Sequence, residues 1–127
     1  MLNAYSLGVS RRTVVSLALQ IANERVNKDR LVRRRTAQVQ IAFDIYLRAL
    51  YQNRPDISFF FTNHVASSLH RYWPSLFPND FKSLKYDQFW VERWSDEILF
   101  AMREAAYQIG QLMAFVERYP GSSRWSQ

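Results

Sequence analysis

The sequence contains no cysteine. Disulfides, thiolate metal sites and cysteine nucleophiles are therefore all excluded. Glycine and proline are scarce, at 3 and 4 of 127 residues, so little punctuates the chain and long regular elements are expected. No run of about 18 apolar residues occurs, so no membrane span is predicted. The first 25 residues carry Arg11, Arg12, Glu24 and Arg25 and lack a compact apolar stretch before a small-residue cleavage site. No signal peptide is read from them, and a cytoplasmic location is the expectation.

Hydrophobic residues make up 48 % and aromatics 16 %, enough for a folded core. Charge is distributed unevenly. Residues 1–54 hold ten basic and three acidic side chains, whereas residues 55–127 hold seven and eight. A basic half attracts nucleic acid, anionic lipid or acidic protein, or forms a solvated face.

Hydrophobic recurrence predicts a mainly α chain with two or three long helices. Ser10 is placed to cap a helix over 11–26, a bend follows at Asn27–Asp29, and a second helix runs over 30–53. Arg54-Pro55 stops it, since the residue before a proline is pushed out of the helical region. The aromatic run Ile57–Thr62 reads as one short isolated strand (residues 57–62), with a short helix or turn over 63–73. A loop framed by Pro74 and Pro78 spans 74–85. A long helix over 86–118 carries Trp90, Trp94, Ile98, Met102, Ala105, Ile109, Leu112, Met113 and Val116 as its buried stripe, with Gly110 as a close-packing point and Pro120-Gly121 as its stop. A lone strand leaves backbone N–H and C=O groups unpaired, at about 1–3 kcal/mol for each one buried. Residues 1–127 are therefore read as a single incomplete region: helical over 11–53, strand and histidine turn over 56–73, loop, then long helix.

Chemistry-bearing residues are few. The two histidines, His64 and His70, are the candidate metal ligands. On a regular helix a spacing of six sets them about 120° apart, so convergence needs His64 in a preceding turn. Asp56 and Asp80 have no ligand-like spacing to His70, and a full zinc site needs three or four ligands. Ser67 and Ser68 lack a Gly-x-Ser-x-Gly setting, and the glycines are too far apart to cradle a phosphate. The triplet Arg33-Arg34-Arg35 spans about 200° of a helix and has no interleaved aromatics, so it reads as a solvated or partner-facing surface.

The stretch Arg54–Trp73, RPDISFFFTNHVASSLHRYW, resembles a segment of the alkaline phosphatase superfamily, in its type I phosphodiesterase and sulfatase-like branch. Pro55-Asp56 and Ile57–Thr62 resemble the strand that delivers metal ligands, and His70-Arg71-Tyr72-Trp73 its histidine end. Gln108–Met113 resembles the segment before the next strand of that family. The resemblance implies an internal piece of a larger α/β hydrolase of phosphoric or sulfuric esters, with divalent metal, usually zinc, in the intact parent. It implies the remainder of that hydrolase as partner and a phosphate or sulfate ester as the parent's substrate. The sequence departs from the family pattern at Ala66, where the aspartate ligand would stand, with His64 as a candidate replacement. The hydroxyl nucleophile and the Asp-His-Gly strand have no counterpart. No catalytic residue is therefore assigned, no ion is expected to bind this chain tightly, and activity alone is not expected. The alternative is a freestanding basic helical interaction module that binds an acidic partner or nucleic acid.

Overall fold

The computed structural model describes residues 8–80 and 86–120. They are mainly helical: α1 (Arg11–Val26), a 3₁₀ segment (Lys28–Arg33), α2 (Arg34–Asn53), α3 (His64–Leu76), α4 (Gln88–Trp94) and α5 (Glu97–Arg118). The Ser10 side chain caps α1 by accepting from the Thr13 N–H, as the sequence predicts. The bend after α1 is the 3₁₀ segment. The Asn27 side chain starts it by accepting from the Asp29 N–H at 2.9 Å, and the Gln20 amide holds the Arg30 carbonyl at 2.6 Å. Arg54 ends α2 in the left-handed region, at φ 45°, immediately before Pro55. Gly8 also has positive φ, at 88°, and a Cβ there would collide with the Arg48 side chain.

The expected long helix over 86–118 divides at Ser95-Asp96. The Trp94 carbonyl, which would accept from Ile98 in a continuous helix, instead meets the Ser75 hydroxyl at 3.0 Å, whose one hydrogen it shares with the Tyr72 carbonyl at 2.7 Å. Ser95 turns its own hydroxyl back onto the Glu92 carbonyl. Conversely, α3 runs through Pro74 to Leu76, where a loop is expected. At this late position the proline removes only the ladder bond to His70. The expected loop over 74–85 lies partly, and Gly121 wholly, outside the described residues.

No strand forms among the described residues, which corrects the reading of 57–62. The segment has no strand to pair with, and residues 55–62 make no backbone–backbone hydrogen bond among the described residues. Phe60 holds it to the body, with its ring 4.9 Å from Tyr46 and 5.4 Å from Phe43. The Tyr46 and Ser58 hydroxyls meet at 2.8 Å. Ile57, Phe59 and Phe61 point outward and are 74 %, 89 % and 89 % exposed.

Helix α5 is the spine: α2 and α3 pack on it, α1 packs on α2, and α4 on α3. Phe43, Ile98 and Ala101 are fully enclosed at this junction. Of the expected α5 stripe Ile98 is buried, but the enclosed face is turned toward polar residues. Glu97, Ala101, Glu104 and Gln108, spaced by four, three and four, face inward, while Met102, Ile109, Met113 and Val116 are exposed. The N-terminal half supplies arginines that can satisfy acidic groups, so the polar stripe is the one enclosed.

Gly110 lies on the outer side of α5, and an added Cβ would meet nothing within 4 Å, so it is not a packing point. Gly110→Ala should therefore raise stability by about 0.5–1 kcal/mol in urea unfolding, through lower unfolded-state entropy. A clear loss of stability would show that this face is covered in solution.

Candidate functional site

The polar groups on the inner face of α5 organise the interior. Glu97 is 4 % exposed and receives Arg33 as a fork, Nε to both carboxylate oxygens at 2.9 and 3.0 Å and one terminal nitrogen at 2.8 Å. Arg30 adds a bond at 3.0 Å. Two turns further along, Glu104 is equally buried and receives Arg12 from α1 at 2.9 Å, Gln40 from α2 at 2.8 Å and Gln108 at 3.2 Å. Ser16 completes this network by donating to Gln40 at 3.0 Å. Asp44 accepts the Ser10 N–H at 2.7 Å, fixing the start of α1 on α2. Glu24 is gripped by Arg34 at 2.8–3.0 Å, and this hydrogen bond, ahead of that from Gln20, holds its carboxyl below the usual range. No buried side-chain N or O lacks a partner among the described residues.

The triplet at 33–35 is thus not one solvated surface. Arg33 and Arg34 are committed to internal carboxylates, and Arg35 is not. Sequence pattern does not single out these carboxylates, because acidic residues are ordinarily placed outside. A signal does exist: Glu97, Glu104 and Gln108 recur on one helical stripe with Ala101, opposite an arginine-rich N-terminal half.

The candidate metal ligands lie on one helix and do not come together. His64 opens α3 and is 2 % exposed. Its Nε2 lies 3.1 Å from the Ala101 carbonyl, which can only accept, so Nε2 carries the hydrogen. Its Nδ1 then accepts from the Thr62 hydroxyl at 2.7 Å. Both nitrogens are therefore engaged. His70 is exposed further along α3, Ala66 is exposed between them, and Asp80 accepts from the Trp73 indole at 2.7 Å. No group of three His, Asp or Glu is placed to hold an ion among the described residues. The donor set around His64 and His70 does not fit a zinc site.

A trench separates α2 from α3, which scarcely touch each other. Two hollows of about 450 and 390 Å³ form it, sharing Arg35 and Gln38. Ser67, Ser68 and Arg71 line one end, and Asn63 and His64 the other. No acidic side chain lines either hollow.

Comparison with protein-family models, curated proteins and solved structures gives no match. No helix among the described residues is long and apolar enough to cross a membrane.

Burial is the main cause that pushes the His64 pKa below the ordinary value of 6.5, against opposing pulls from the Ala101 carbonyl and Glu104. The neutral ring is thus favoured in the folded chain. Its contribution to stability is complete above pH 6.5 and is lost as the pH falls below that value toward the lower folded pKa. Urea midpoints measured from pH 7 to 5 should fall in the native chain and fall less in His64→Gln. Equal slopes in the two proteins would contradict the assignment.

Proposed function

We propose that this chain is a helical packing module without ester-hydrolysing chemistry of its own, and that it works by docking onto further polypeptide. The observation that carries this reading is the outward apolar surface. Ile57, Phe59 and Phe61 project from a segment whose backbone groups are unpaired, and the outer face of α5 adds Met102, Ile109, Met113 and Val116. Ile109, Met113 and Val116 line one groove, and exposed apolar surface of this kind is characteristic of interaction sites. An extended segment with open N–H and C=O groups invites a paired strand. The occupant is accordingly an extended strand of further polypeptide laid along 57–62. Resemblance of Arg54–Trp73 to the alkaline phosphatase superfamily supports the remainder of a metal-dependent phosphoric or sulfuric ester hydrolase as that polypeptide. In such a parent the catalytic metals and nucleophile come from elsewhere.

A basic module for nucleic acid is the less favoured reading, because the arginines at 12, 30, 33, 34 and 93 are already paired with carboxylates. They offer no continuous track for a phosphate backbone.

The purified chain should bind a hydrophobic dye and self-associate in sedimentation, while showing high helicity by circular dichroism. Phe59→Asp/Phe61→Asp should reduce both effects and leave helicity unchanged. The chain should not turn over nitrophenyl phosphate or sulfate above background. A monomer that binds no dye and unfolds cooperatively would overturn the docking reading. Metal-dependent turnover lost in His70→Ala would overturn the non-catalytic one.

A further inference from the structure

We propose that the trench between α2 and α3 is a binding site for an acidic peptide segment of a partner protein. This site is separate from the apolar surface around 57–61, and the inference does not depend on what covers that surface.

Charge is the first argument. Several arginines of the N-terminal half are answered by carboxylates: Arg12 meets Glu104, Arg30 and Arg33 meet Glu97, and Arg34 meets Glu24. In the trench the pattern stops. Arg35 and Arg71 face the same hollow from opposite helices, and neither has an ion-pair partner among the described residues. The polar neighbour of Arg71 is the Tyr72 hydroxyl, which is neutral. Two arginines that line one acid-free hollow raise the local potential and suit carboxylates, which accept paired N–H bonds from arginine.

Unspent hydrogen-bonding capacity is the second. The side chains of Gln38 and Ser68 line the hollow and make no hydrogen bond among the described residues. Both can bind a peptide's backbone carbonyls and N–H groups once the charges have positioned it.

Shape selects the class of partner. From Arg34 to Ala42 the α2 wall is about 12 Å long at 1.5 Å per residue, which accommodates roughly four residues of extended chain. Val32, at the Arg35–Arg71 end, and Val39 and Ala42 further along, supply apolar contacts for alternate side chains. Nucleic acid fits these features less well. The ring in the wall, Tyr72, is 6 % exposed and stacks on Trp94 at 5.2 Å, leaving little face for a base.

The test is fluorescence anisotropy on the full chain with a short labelled peptide of alternating glutamate and leucine. The matched lysine–leucine peptide and a single-stranded RNA of equal length serve as the other arms. The acidic peptide should bind, the basic one should not, and affinity should fall as salt rises. Arg35→Glu/Arg71→Glu should weaken binding by roughly tenfold or more, the scale of a lost charge-assisted pair. Arg25→Glu/Arg103→Glu makes the same change in net charge at exposed positions that do not line the trench, and should leave affinity within about twofold. Phe59→Asp/Phe61→Asp should retain peptide binding, which separates this site from the docking surface. Arg35→Gln/Arg71→Gln repeats the test with a smaller perturbation, and circular dichroism checks that each variant is folded. Equal losses in the two charge-reversal variants would overturn the site. So would an absence of binding at low salt, or RNA binding more tightly than the acidic peptide through the same arginines.

Discussion

The arrangement depends on the buried carboxylate of Glu97 and its arginine fork. A carboxylate enclosed in protein is costly unless its lone pairs are satisfied. Arg33 and Arg30 supply three nitrogen donors between them, all from the short 3₁₀ segment that joins α1 to α2. That single requirement places the 3₁₀ segment over the start of α5, which in turn fixes where α2 begins and which way it runs. Glu104 repeats the device two turns later with Arg12, Gln40 and Gln108, so α1 and α2 are tied to the same face of α5. Cation–π contacts run alongside these ties, with Arg12 3.6 Å from the Tyr107 ring centre and Arg33 4.2 Å from that of Phe100. Arginine is suited to both tasks at once, because its planar group can fork onto a carboxylate and stack on a ring.

An interior built this way has a consequence at the surface. Beside Ile98 and Ala101, the inner face of α5 is occupied by Glu97, Glu104 and Gln108, and Met102, Ile109, Met113 and Val116 are left on the outside. Of the ten basic residues of the N-terminal half, Arg12, Arg30, Arg33 and Arg34 are ion-paired within the fold, whereas Arg35 lines the trench together with Arg71 of α3. The same allocation therefore leaves two different surfaces unsatisfied, one apolar and one cationic. Chemistry is sparse by comparison: His64 spends both ring nitrogens on Thr62 and Ala101, and His70 stands apart from it.

Local signals in the sequence are legible where they act over a few residues. Ser10 caps α1, Arg54-Pro55 ends α2, and helix α1 has the expected bounds. Features that depend on distant partners are not legible in this way. Whether Ile57–Thr62 becomes a strand depends on a neighbouring strand, which the described residues do not provide. Whether the 86–118 helix stays continuous depends on a hydroxyl from α3, Ser75, capturing the Trp94 carbonyl. The orientation of α5 is hidden for a similar reason. Apolar recurrence marks one stripe of the helix, but only the arginines of residues 12–33 make the adjacent, polar stripe a buried one. Of the candidate site, the histidines are visible as residue types, and their separation on α3 follows from spacing. The Arg35–Arg71 trench is not visible, because those side chains are 36 positions apart and meet only through the packing of α3 on α5.

The most direct test of this account is a double-mutant cycle on Arg33 and Glu97, with Arg33→Ala, Glu97→Ala and the double variant unfolded in urea. The clamp predicts that loss of Arg33 alone costs about 1–3 kcal/mol, since Glu97 stays buried with only Arg30 left to pair it, and that the double variant recovers at least about 1 kcal/mol relative to the sum of the singles. A coupling energy near zero, with Arg33→Ala no more harmful than Arg35→Ala, would contradict the claim that the arginine–carboxylate contact holds the N-terminal half on α5.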